Sequence, residues 1–415
     1  MREIKDIYPT IIAKENLYRS AYAASRGRRY RDSTADFNFH LEEEIGRLHR
    51  ELAMKNYRHG KYRVFTIYDP KERQIAAAPF RDRVVHHAVH DIIEPIIDKT
   101  FIYDSYACRK NKGTHKAIGR AQGFLKENAF CLHGDIKKYF YSIDREILKE
   151  LLRGYIADID LLWLLDGIVD SAVTCHCEAH QKDISYSSLR AARDLPVSGE
   201  AIPRMRLLRR SMLTKAPRND GGRGLPIGNL TSQFFANLYL NELDYFVKSD
   251  LRCRYYIRYM DDFLIFGSDR DELRDIKDKV RQFLRDRLNL TLHEGKSQIF
   301  RAKDGIKFLG FRIYRDYRRL TTDNVRRFRK RLKKFSGEWS VDSDEKRHFP
   351  HHSPLTTDHC SLSTRHCSSV RCWVAHAKYA DTYSLRLKMF DSLLRKDHHL
   401  AGLIKDVLLG ERLNA

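Results

Sequence analysis

Residues 255–266 have the sequence YYIRYMDDFLIF, in which two adjacent acids, Asp261 and Asp262, interrupt a run of aromatic and β-branched residues. Such a run predicts two strands joined by a short turn, so we expect both carboxylates at the tip of a β-hairpin. Two anions on an apolar turn are costly unless a cation neutralises them, and hard carboxylate oxygens suit Mg²⁺. For an isolated Asp-Asp pair, however, a solvated acidic turn is the simpler explanation.

Other segments of the chain favour the metal site over the solvated turn. They follow one another in this order: CLHGDIKKYF at 131–140, GLPIGNLTSQ at 224–233, HEGKS at 293–297 and FLGF at 308–311. Together with residues 255–266, these segments resemble the successive palm motifs of reverse transcriptases. The resemblance covers roughly residues 60–315 and, more weakly, the tail. Five ordered motifs with a shared spacing are hard to obtain by chance.

The resemblance implies an α+β chain with the right-hand polymerase fold: fingers, a palm of antiparallel sheet plus helices, and a helical thumb. The expected division is a helical N-terminal extension at 1–60, fingers at 61–134, a first part of the palm at 135–152, an insertion at 153–222, a second part of the palm at 223–315, and a basic helical thumb at 316–415 with a polar loop at 338–370.

The charge balance favours a polyanionic partner. The chain has 77 Lys and Arg against 55 Asp and Glu, a net charge of +22, which is typical of nucleic-acid binding. Between residues 301 and 334 there are 14 Lys and Arg against 3 Asp. Phe311, Tyr314, Tyr317 and Phe328 are interleaved there and offer stacking surfaces. A solvated helix face or an anionic membrane are the alternatives, but no amphipathic anchor accompanies the segment.

The remaining composition bears on localisation and on metal binding. No run approaches the ~18 apolar residues of a membrane span, and the N-terminus lacks a signal-peptide pattern. Eight cysteines without an export signal predict free thiols in a reducing cytoplasm. The Cys/His clusters at 175–180 and 359–372 lack the paired Cys-x₂-Cys spacing of structural zinc sites, so we expect ordinary loop residues.

Several local elements can be predicted from hydrophobic periodicity and from the positions of Gly and Pro. Residues 1–60 are expected to be helical, 62–67 a strand, 79–97 a helix broken by Pro95, and 161–168 a helix. Asp144 is expected to cap the helix that follows it. Asn229 or Thr231 is expected to cap the helix that continues through Phe234, Leu238 and Glu242.

The chemistry that the resemblance implies is nucleotidyl transfer with two Mg²⁺ ions, or Mn²⁺ in their place. Asp135 and Asp261 would be bridging ligands, the Ile136 carbonyl a ligand of the nucleotide-bound metal, and Asp262 a weaker ligand or an orienting carboxylate. Because Asp135 and Asp261 are 126 residues apart, they can converge only if their strands are neighbours in one sheet. Lys296 matches the lysine that protonates the departing pyrophosphate.

Residues that contact nucleotide or nucleic acid are carried over from the matching motifs. Phe140 would be the steric gate that favours dNTPs over NTPs, although a plain core aromatic is the alternative. The remaining nucleotide-site residues are Arg73 and Arg83 on the triphosphate, with Ile227, Gly228 and Gln233 around the nascent base pair. The expected primer and template contacts are Arg109, Tyr259, Phe308, Leu309 and Gly310, and a surface role is the alternative for each arginine.

Two departures from the common pattern point to a branch of the family. Most reverse transcriptases have Gln-Gly at Ile227-Gly228 and Ser-Pro at Ser232-Gln233. The form in this chain is similar to the reverse transcriptases of diversity-generating retroelements, which copy a template RNA with errors at adenines and use a small basic accessory protein. Isoleucine cannot donate the amide hydrogen bonds that glutamine can, which relaxes the geometry around the pair, although Ile227 packing in the core is the alternative.

Expected partners are therefore a template or non-coding RNA, the cDNA product and dNTPs. Two alternatives remain open: a bacterial antiviral-defence reverse transcriptase that uses a dedicated non-coding RNA, and a non-catalytic RNA-binding scaffold.

Overall fold

The computed structural model describes residues 4–68, 72–172, 222–330 and residue 379. Most of the predicted insertion, the polar loop at 338–370, both Cys/His clusters and nearly all of the predicted thumb beyond residue 330 lie outside these ranges.

The N-terminal region is helical, as predicted. Its helices are α1 (Tyr8–Ile12), α2 (Lys14–Ser25), α3 (Asp32–Phe39) and α4 (Leu41–Ala53). In α4, Ile45, Leu48 and Leu52 recur at helical spacing and are fully buried. Acidic residues fill the first turn of α4 and Arg50 lies in its last turn, which suits the helix dipole.

A two-stranded hairpin precedes the long helix α5 (Phe80–Ile97). Its strands are β1 (Arg63–Ile67) and β2 (Arg73–Ala77), paired antiparallel. The expectation that Pro95 breaks the helix is wrong, because α5 continues to Ile97 with Pro95 inside it. Pro95 lacks the N–H that would bond the carbonyl of Asp91, and this single lost bond lies near the end of the helix.

The middle of the chain alternates helices and one strand. The elements are α6 (Thr114–Glu127), β3 (Phe130–Asp135), α7 (Tyr139–Ser142), α8 (Arg145–Arg153) and α9 (Ile159–Asp170). The predicted cap at Asp144 is confirmed: its Oδ1 accepts from the backbone N–H groups of Glu146 at 3.1 Å and Ile147 at 3.3 Å. The predicted helix over 161–168 is confirmed as part of α9.

Asp135 and the acidic hairpin belong to one sheet of four strands. The remaining elements of this region are α10 (Leu230–Tyr245), β4 (Tyr256–Tyr259), β5 (Asp262–Gly267), α11 (Arg270–Leu288) and β6 (Gln298–Arg301). The strand order is β4-β5-β3-β6. In this order β3, which ends at Asp135, is hydrogen-bonded directly to β5, which begins at Asp262. Two acids that are far apart in sequence therefore lie on neighbouring strands.

A third sheet is formed by three short strands, β7 (Ile306–Phe308), β8 (Phe311–Ile313) and β9 (Arg318–Leu320), all antiparallel. Residues 322–330 are helical. The predicted α+β class is confirmed, and the mixture of helices and antiparallel sheets is consistent with the right-hand polymerase fold. That the four-stranded sheet is the palm stays a prediction.

The chain divides into two compact units. Unit 1 comprises Met1–Lys112, Leu132–Ile265 and Asp271–Gln298, and unit 2 comprises Gly113–Cys131, Phe266–Arg270 and Ile299–Ala415. Helix α6, which the sequence assigned to the fingers, belongs to unit 2. The finer boundaries of fingers, palm and thumb stay a prediction.

Candidate active site

The two adjacent acids lie at the tip of a tight β-hairpin, as predicted. Tyr259, the last residue of β4, pairs with Asp262, the first residue of β5, so that only Met260 and Asp261 form the turn. Met260 has φ +57°, the left-handed backbone that the first position of a two-residue hairpin requires. This turn holds Asp261 at its apex and Asp262 at the start of the strand.

Asp135 is fixed by its backbone. Its carbonyl accepts a bond from the N–H of His293 at 2.8 Å, and its N–H donates to the buried hydroxyl of Ser297 at 3.2 Å. The N–H of Lys137 donates to the carbonyl of Thr291 at 2.9 Å. These bonds flank Ile136 and leave its own carbonyl outside the ladder. The predicted motif at 293–297 therefore clamps the end of β3 where Asp135 lies.

The three acids influence one another electrostatically. Burial raises the pKa of Asp261 to about 6, and the nearby carboxylates of Asp135 and Asp262 contribute to the same upward direction. Lys296 acts in the opposite direction. An anion pushed toward its neutral form by two others is the electrostatic signature of a cation site. Three acids predicted as ligands thus lie close together.

Two basic side chains, Lys296 and His133, contact the carboxylates of Asp135 and Asp262. The ammonium of Lys296 is 2.5 Å from Oδ2 of Asp135, and Nε2 of His133 bonds Oδ1 of Asp262. Within the described ranges no group of three or more His, Cys, Asp or Glu side chains is already arranged as a metal site. The donor set still fits a hard divalent cation, because it consists of carboxylates and one carbonyl.

The close approach of β3 and β5 depends on Gly134. A Cβ atom at this position would overlap the ring of Phe263, which is 1 % exposed. Phe263 directly follows Asp262, and Gly134 directly precedes Asp135. The absence of a side chain at Gly134 therefore lets the two acidic strand ends lie side by side.

A fully buried arginine, Arg258, forms a hydrogen bond to the backbone of the acidic turn. Arg258 Nη1 donates to the carbonyl of Met260 at 3.2 Å and to Oδ1 of Asn237 at 3.1 Å. Its Nε and Nη2 bond the carboxylate of Asp244, at 2.7 and 2.6 Å. Its backbone pairs with residues 104–106. Arg258 thus joins α10, the 104–106 segment and the turn that carries Asp261.

The segment at 222–229 connects the region around Phe140 to the β1–β2 hairpin. Its Leu225 N–H donates to the carbonyl of Phe140 at 2.8 Å, and the Ala76 N–H donates to the carbonyl of Ile227 at 3.0 Å. Gly228 has φ +112°, and a Cβ there would lie 2.8 Å from Cγ2 of Ile75. Glycine is therefore required at 228, and the segment brings the neighbourhood of Phe140 to β2.

The predicted cap at the start of α10 is wrong. Asn229 occupies the N-cap position, but its side chain makes no cap bond. Its amide nitrogen instead donates to the carbonyl of Ala76 at 2.9 Å, and its Oδ1 accepts from the N–H of Ala78 at 3.2 Å. Thr231 lies inside the helix. Asn229 therefore ties the motif to β2 and leaves the helix end uncapped by side chains.

A cluster of guanidinium groups surrounds Arg83. Burial lowers its pKa, and the positive charges of Arg28 and Arg31 lower it further, so the three groups lie close together. The Nε of Arg83 donates to the carbonyl of Ala78 at 2.9 Å. Arg73 begins β2 and is exposed. Clustered arginines suit phosphate oxygens, and the basic segment at 26–31 thereby joins the neighbourhood of a predicted nucleotide residue.

The template contact expected of Arg109 is replaced by a structural role. Its side chain is 8 % exposed, and all five N–H donors are used inside the protein. They bond the carboxylate and carbonyl of Asp98 and the carbonyls of Ile102 and Ser105. The side chain of Gln233, a predicted nucleotide-site residue, is half-buried. Its Oε1 is 3.5 Å from the thiol of Cys108.

The predicted primer contacts at 308–310 form the turn between β7 and β8 in unit 2. Leu309 and Gly310 both have positive φ, +49° and +85°, as a two-residue hairpin of the I′ type requires. Phe308 is buried and pairs with Phe311. The N–H of Thr321 donates to the carbonyl of Gly310 at 3.0 Å, which fixes the turn.

Sequence reasoning did not assign several side chains that the structure brings to this site. His133, Ser297 and Arg258 contact the acids or their turn. His133 and Ser297 each lie within two residues of a predicted functional residue, so their proximity could have been noticed. Arg258 directly precedes Tyr259, but its burial depends on Asp244, and sequence alone gives no sign of that pairing.

Comparison with known proteins shows what this chain is similar to. Residues 206–313 match the family described as "Reverse transcriptase (RNA-dependent DNA polymerase)". Protein YkfC of Escherichia coli is 24% identical over 290 residues, 60% of this chain and 66% of that protein. The group II intron-encoded protein LtrA of Lactococcus lactis is 23% identical over 374 residues, 74% of this chain and 55% of LtrA. The chain therefore spans between half and two thirds of these relatives.

The solved structures to which the chain shows similarity include telomerases. Apo telomerase from Candida tropicalis has a TM-score of 0.39 and 12% identity over 64% of this chain and 49% of that chain. Telomerase from Candida albicans in complex with a fragment of telomeric RNA has a TM-score of 0.38 and 10% identity over 68% and 52%. The match to the reverse transcriptase family thus covers residues 206–313, and over a longer stretch the chain is similar to a group II intron-encoded protein. In the described ranges no helix is long and apolar enough to cross a bilayer.

Proposed function

We propose that this chain is an RNA-directed DNA polymerase that makes cDNA by nucleotidyl transfer at Asp135, Asp261 and Asp262. The observation that carries the proposal is the meeting of these acids at the joined ends of β3 and the β4–β5 hairpin. Their mutual repulsion contributes to the raised pKa of Asp261, about 6. Clustered acids of this kind are costly without a cation. Nucleotidyl transfer, the reaction of the reverse transcriptases that this chain resembles, uses a divalent cation.

The residues that would hold the metal are Asp135, Asp261 and the Ile136 carbonyl, with Asp262 as a weaker ligand. When bound, two Mg²⁺ ions would activate the primer 3′-hydroxyl and neutralise the leaving pyrophosphate. The ammonium of Lys296 contacts the carboxylate of Asp135, and the Lys296 side chain is half exposed. From this position beside the acids, Lys296 would serve as the proton donor to the departing pyrophosphate.

The chain's other groups would position the nucleotide. Arg83, beside Arg28 and Arg31, and Arg73 on β2 offer guanidinium groups to the triphosphate. Phe140 is held next to Leu225 by a backbone bond, and its ring would exclude a 2′-hydroxyl. Gly228 would let the backbone approach the nascent base pair. Tyr259 and the turn at 308–310 would contact the primer.

Primer extension on an RNA template tests the proposal directly. Wild-type protein with Mg²⁺ and dNTPs should extend a DNA primer, and Asp261→Ala should abolish extension while leaving RNA binding intact. Asp316→Ala, an exposed acid in the loop between β8 and β9, is the matched control and should extend normally. RNA binding without extension by the wild type would instead support a non-catalytic scaffold.

Within this activity, we propose error-prone copying of a retroelement template RNA for sequence diversification, aided by a small basic accessory protein. The support is Ile227, which stands where most reverse transcriptases have glutamine and whose carbonyl accepts from the N–H of Ala76 in β2. Ile227→Gln should lower the error frequency opposite template adenine, as measured by sequencing the cDNA. An unchanged frequency would mean that Ile227 serves packing alone.

An antiviral-defence role with a dedicated non-coding RNA is the alternative within the same activity. Near-identical template and variable repeats beside the gene would favour diversification. A structured RNA gene without such repeats would favour defence.

A further inference from the structure

Three cations lie in a row across the β7–β8–β9 sheet. The strand register pairs Lys307 with Arg312 and Arg312 with Arg319. All three side chains are exposed. The neighbouring residues Ile306, Phe308, Phe311, Ile313 and Leu320 are buried. One face of this sheet is therefore apolar and covered, and the opposite face carries the row Lys307-Arg312-Arg319, which we call the basic ladder.

The basic ladder is unfavourable for the isolated protein. Like charges directly opposite each other on neighbouring strands destabilise a sheet. Within the described part of the chain, none of the three forms an ion pair with a carboxylate. A sheet face that serves folding alone would carry alternating charges or neutral residues at these positions. The arrangement is instead one that a bound polyanion would stabilise.

The two arginines of the ladder are held in place. Arg312 donates to the carbonyl of Asp304 at 3.2 Å from Nε and at 2.8 Å from Nη2. The guanidinium of Arg319 lies 5.0 Å from the centre of the Tyr317 ring, which stacks on Tyr314 at 4.4 Å. Cations that are already ordered lose less conformational entropy when a partner binds.

We propose that the basic ladder binds the sugar–phosphate backbone of a nucleic-acid strand, as a contact separate from the primer contacts at the 308–310 turn. Neighbouring strands are about 4.8 Å apart, so a backbone crossing the sheet would meet three cations within about 10 Å. The ladder presents cations and no base-reading amide or carboxylate, so it would recognise phosphate and not sequence. The exposed strand residues that pair across this face are three cations, a composition that disfavours insertion into a membrane. The proposal rests on the proposed function only in taking nucleic acid as the partner.

The salt dependence of binding tests this. The 415-residue chain would be titrated with a labelled RNA strand and, separately, an RNA–DNA duplex, without dNTPs or metal. The variant Lys307→Gln/Arg312→Gln/Arg319→Gln should lower the magnitude of the slope of log K against log salt by about 2 to 3. The control Arg274→Gln/Lys279→Gln/Arg285→Gln removes the same charge from exposed ion pairs on α11 and should leave the slope close to that of the wild type.

Two outcomes would overturn the proposal: an unchanged slope in the ladder variant, or an equal decrease in both variants, which would reflect net charge alone. The strand and duplex arms show which form of nucleic acid occupies the ladder. The variant Lys307→Glu separates an effect on binding from an effect on folding. It should weaken RNA binding without lowering the thermal midpoint. This experiment measures binding and does not require catalysis. A wild type that fails to extend a primer would therefore contradict the polymerase proposal without affecting the interpretation of the binding data.

Discussion

The guanidinium of Arg258 and the carboxylate of Asp244 form a bidentate ion pair in which both side chains are fully buried. The same guanidinium donates to the carbonyl of Met260, the residue before Asp261. Removing one partner of a buried pair leaves an uncompensated charge and costs about 3–5 kcal/mol. We therefore expect Arg258→Met to lower the free energy of unfolding by this amount, measured by urea denaturation.

The matched variant separates stability from positioning. Arg258→Met combined with Asp244→Leu and Tyr256→Phe removes the charge pair and the hydroxyl that bonds Asp244, so stability should largely return. Primer extension should remain low, because the bond from Arg258 to the Met260 carbonyl is lost. Full recovery of extension in this variant would show that Arg258 serves stability alone.

The raised pKa of Asp261 makes a pH-dependent prediction. A folded-state pKa of about 6, against an ordinary 3.8, means that the folded protein binds the extra proton, so stability falls as pH rises from about 4 through 6. The penalty at neutral pH is at most about 3 kcal/mol, and solvent screening reduces it. Asp261→Asn should therefore raise the thermal midpoint at pH 7 and have no effect near pH 4.

Added Mg²⁺ provides the complementary measurement on the same variant. It should raise the midpoint of the wild type at pH 7, because a ligand that binds the folded state stabilises it. Asp261→Asn should respond less. The exposed Asp316→Asn serves as the control, with no expected change in either experiment. A lower midpoint for Asp261→Asn at pH 7 would contradict mutual repulsion among the three acids.

Sequence could predict the parts of this site that depend on local pattern. The hairpin that carries Asp261 and Asp262 follows from strand alternation, and the Asp144 cap bonds residues two and three positions away. Asn229 was predicted wrongly because its partners, Ala76 and Ala78, are about 150 residues distant and outcompete the local helix end. Local patterns do not encode such partners.

Arg109 illustrates the same limit over a shorter distance. Its motif is typical of a nucleic-acid contact, yet Asp98, 11 residues earlier, takes the guanidinium into the protein. A carboxylate of this kind competes with solvent and nucleic acid alike, and only the fold determines which partner an arginine meets. The contact of Gly134 with Phe263 likewise depends on the order of strands in the sheet.

Phe140 offers a test of sugar discrimination. Phe140→Ala should raise ribonucleotide incorporation relative to dNTPs, because the ring that would exclude a 2′-hydroxyl is removed, while extension with dNTPs continues. Competition between matched dNTP and NTP in primer extension measures the ratio. Phe39→Ala removes an aromatic ring that is 84 % exposed and should leave the ratio unchanged. If Phe140→Ala also leaves it unchanged, the ring serves packing only.

Gly134 tests the close approach of β3 and β5. Gly134→Ala would force the Phe263 ring to move and should destabilise the protein by about 1–3 kcal/mol, with reduced extension because both flanking acids shift. Adding Phe263→Leu should recover part of the stability. Gly123→Ala on α6, where a Cβ meets nothing within 4 Å, is expected to stabilise by about 0.5–1 kcal/mol. Equal effects at the two glycines would exclude the proposed contact.

The basic ladder predicts that stability and binding can be changed in opposite directions. Lys307→Glu replaces a repulsive cross-strand pair with an attractive one to Arg312, and should raise the free energy of unfolding by about 0.2–1 kcal/mol. RNA affinity at low salt should fall in the same variant. Lys303→Glu, on an exposed residue that precedes the sheet, makes the same charge change outside the ladder and should alter RNA affinity less. If Lys307→Glu destabilises the fold and leaves RNA affinity unchanged, Lys307 has a structural role and the ladder is not a nucleic-acid contact.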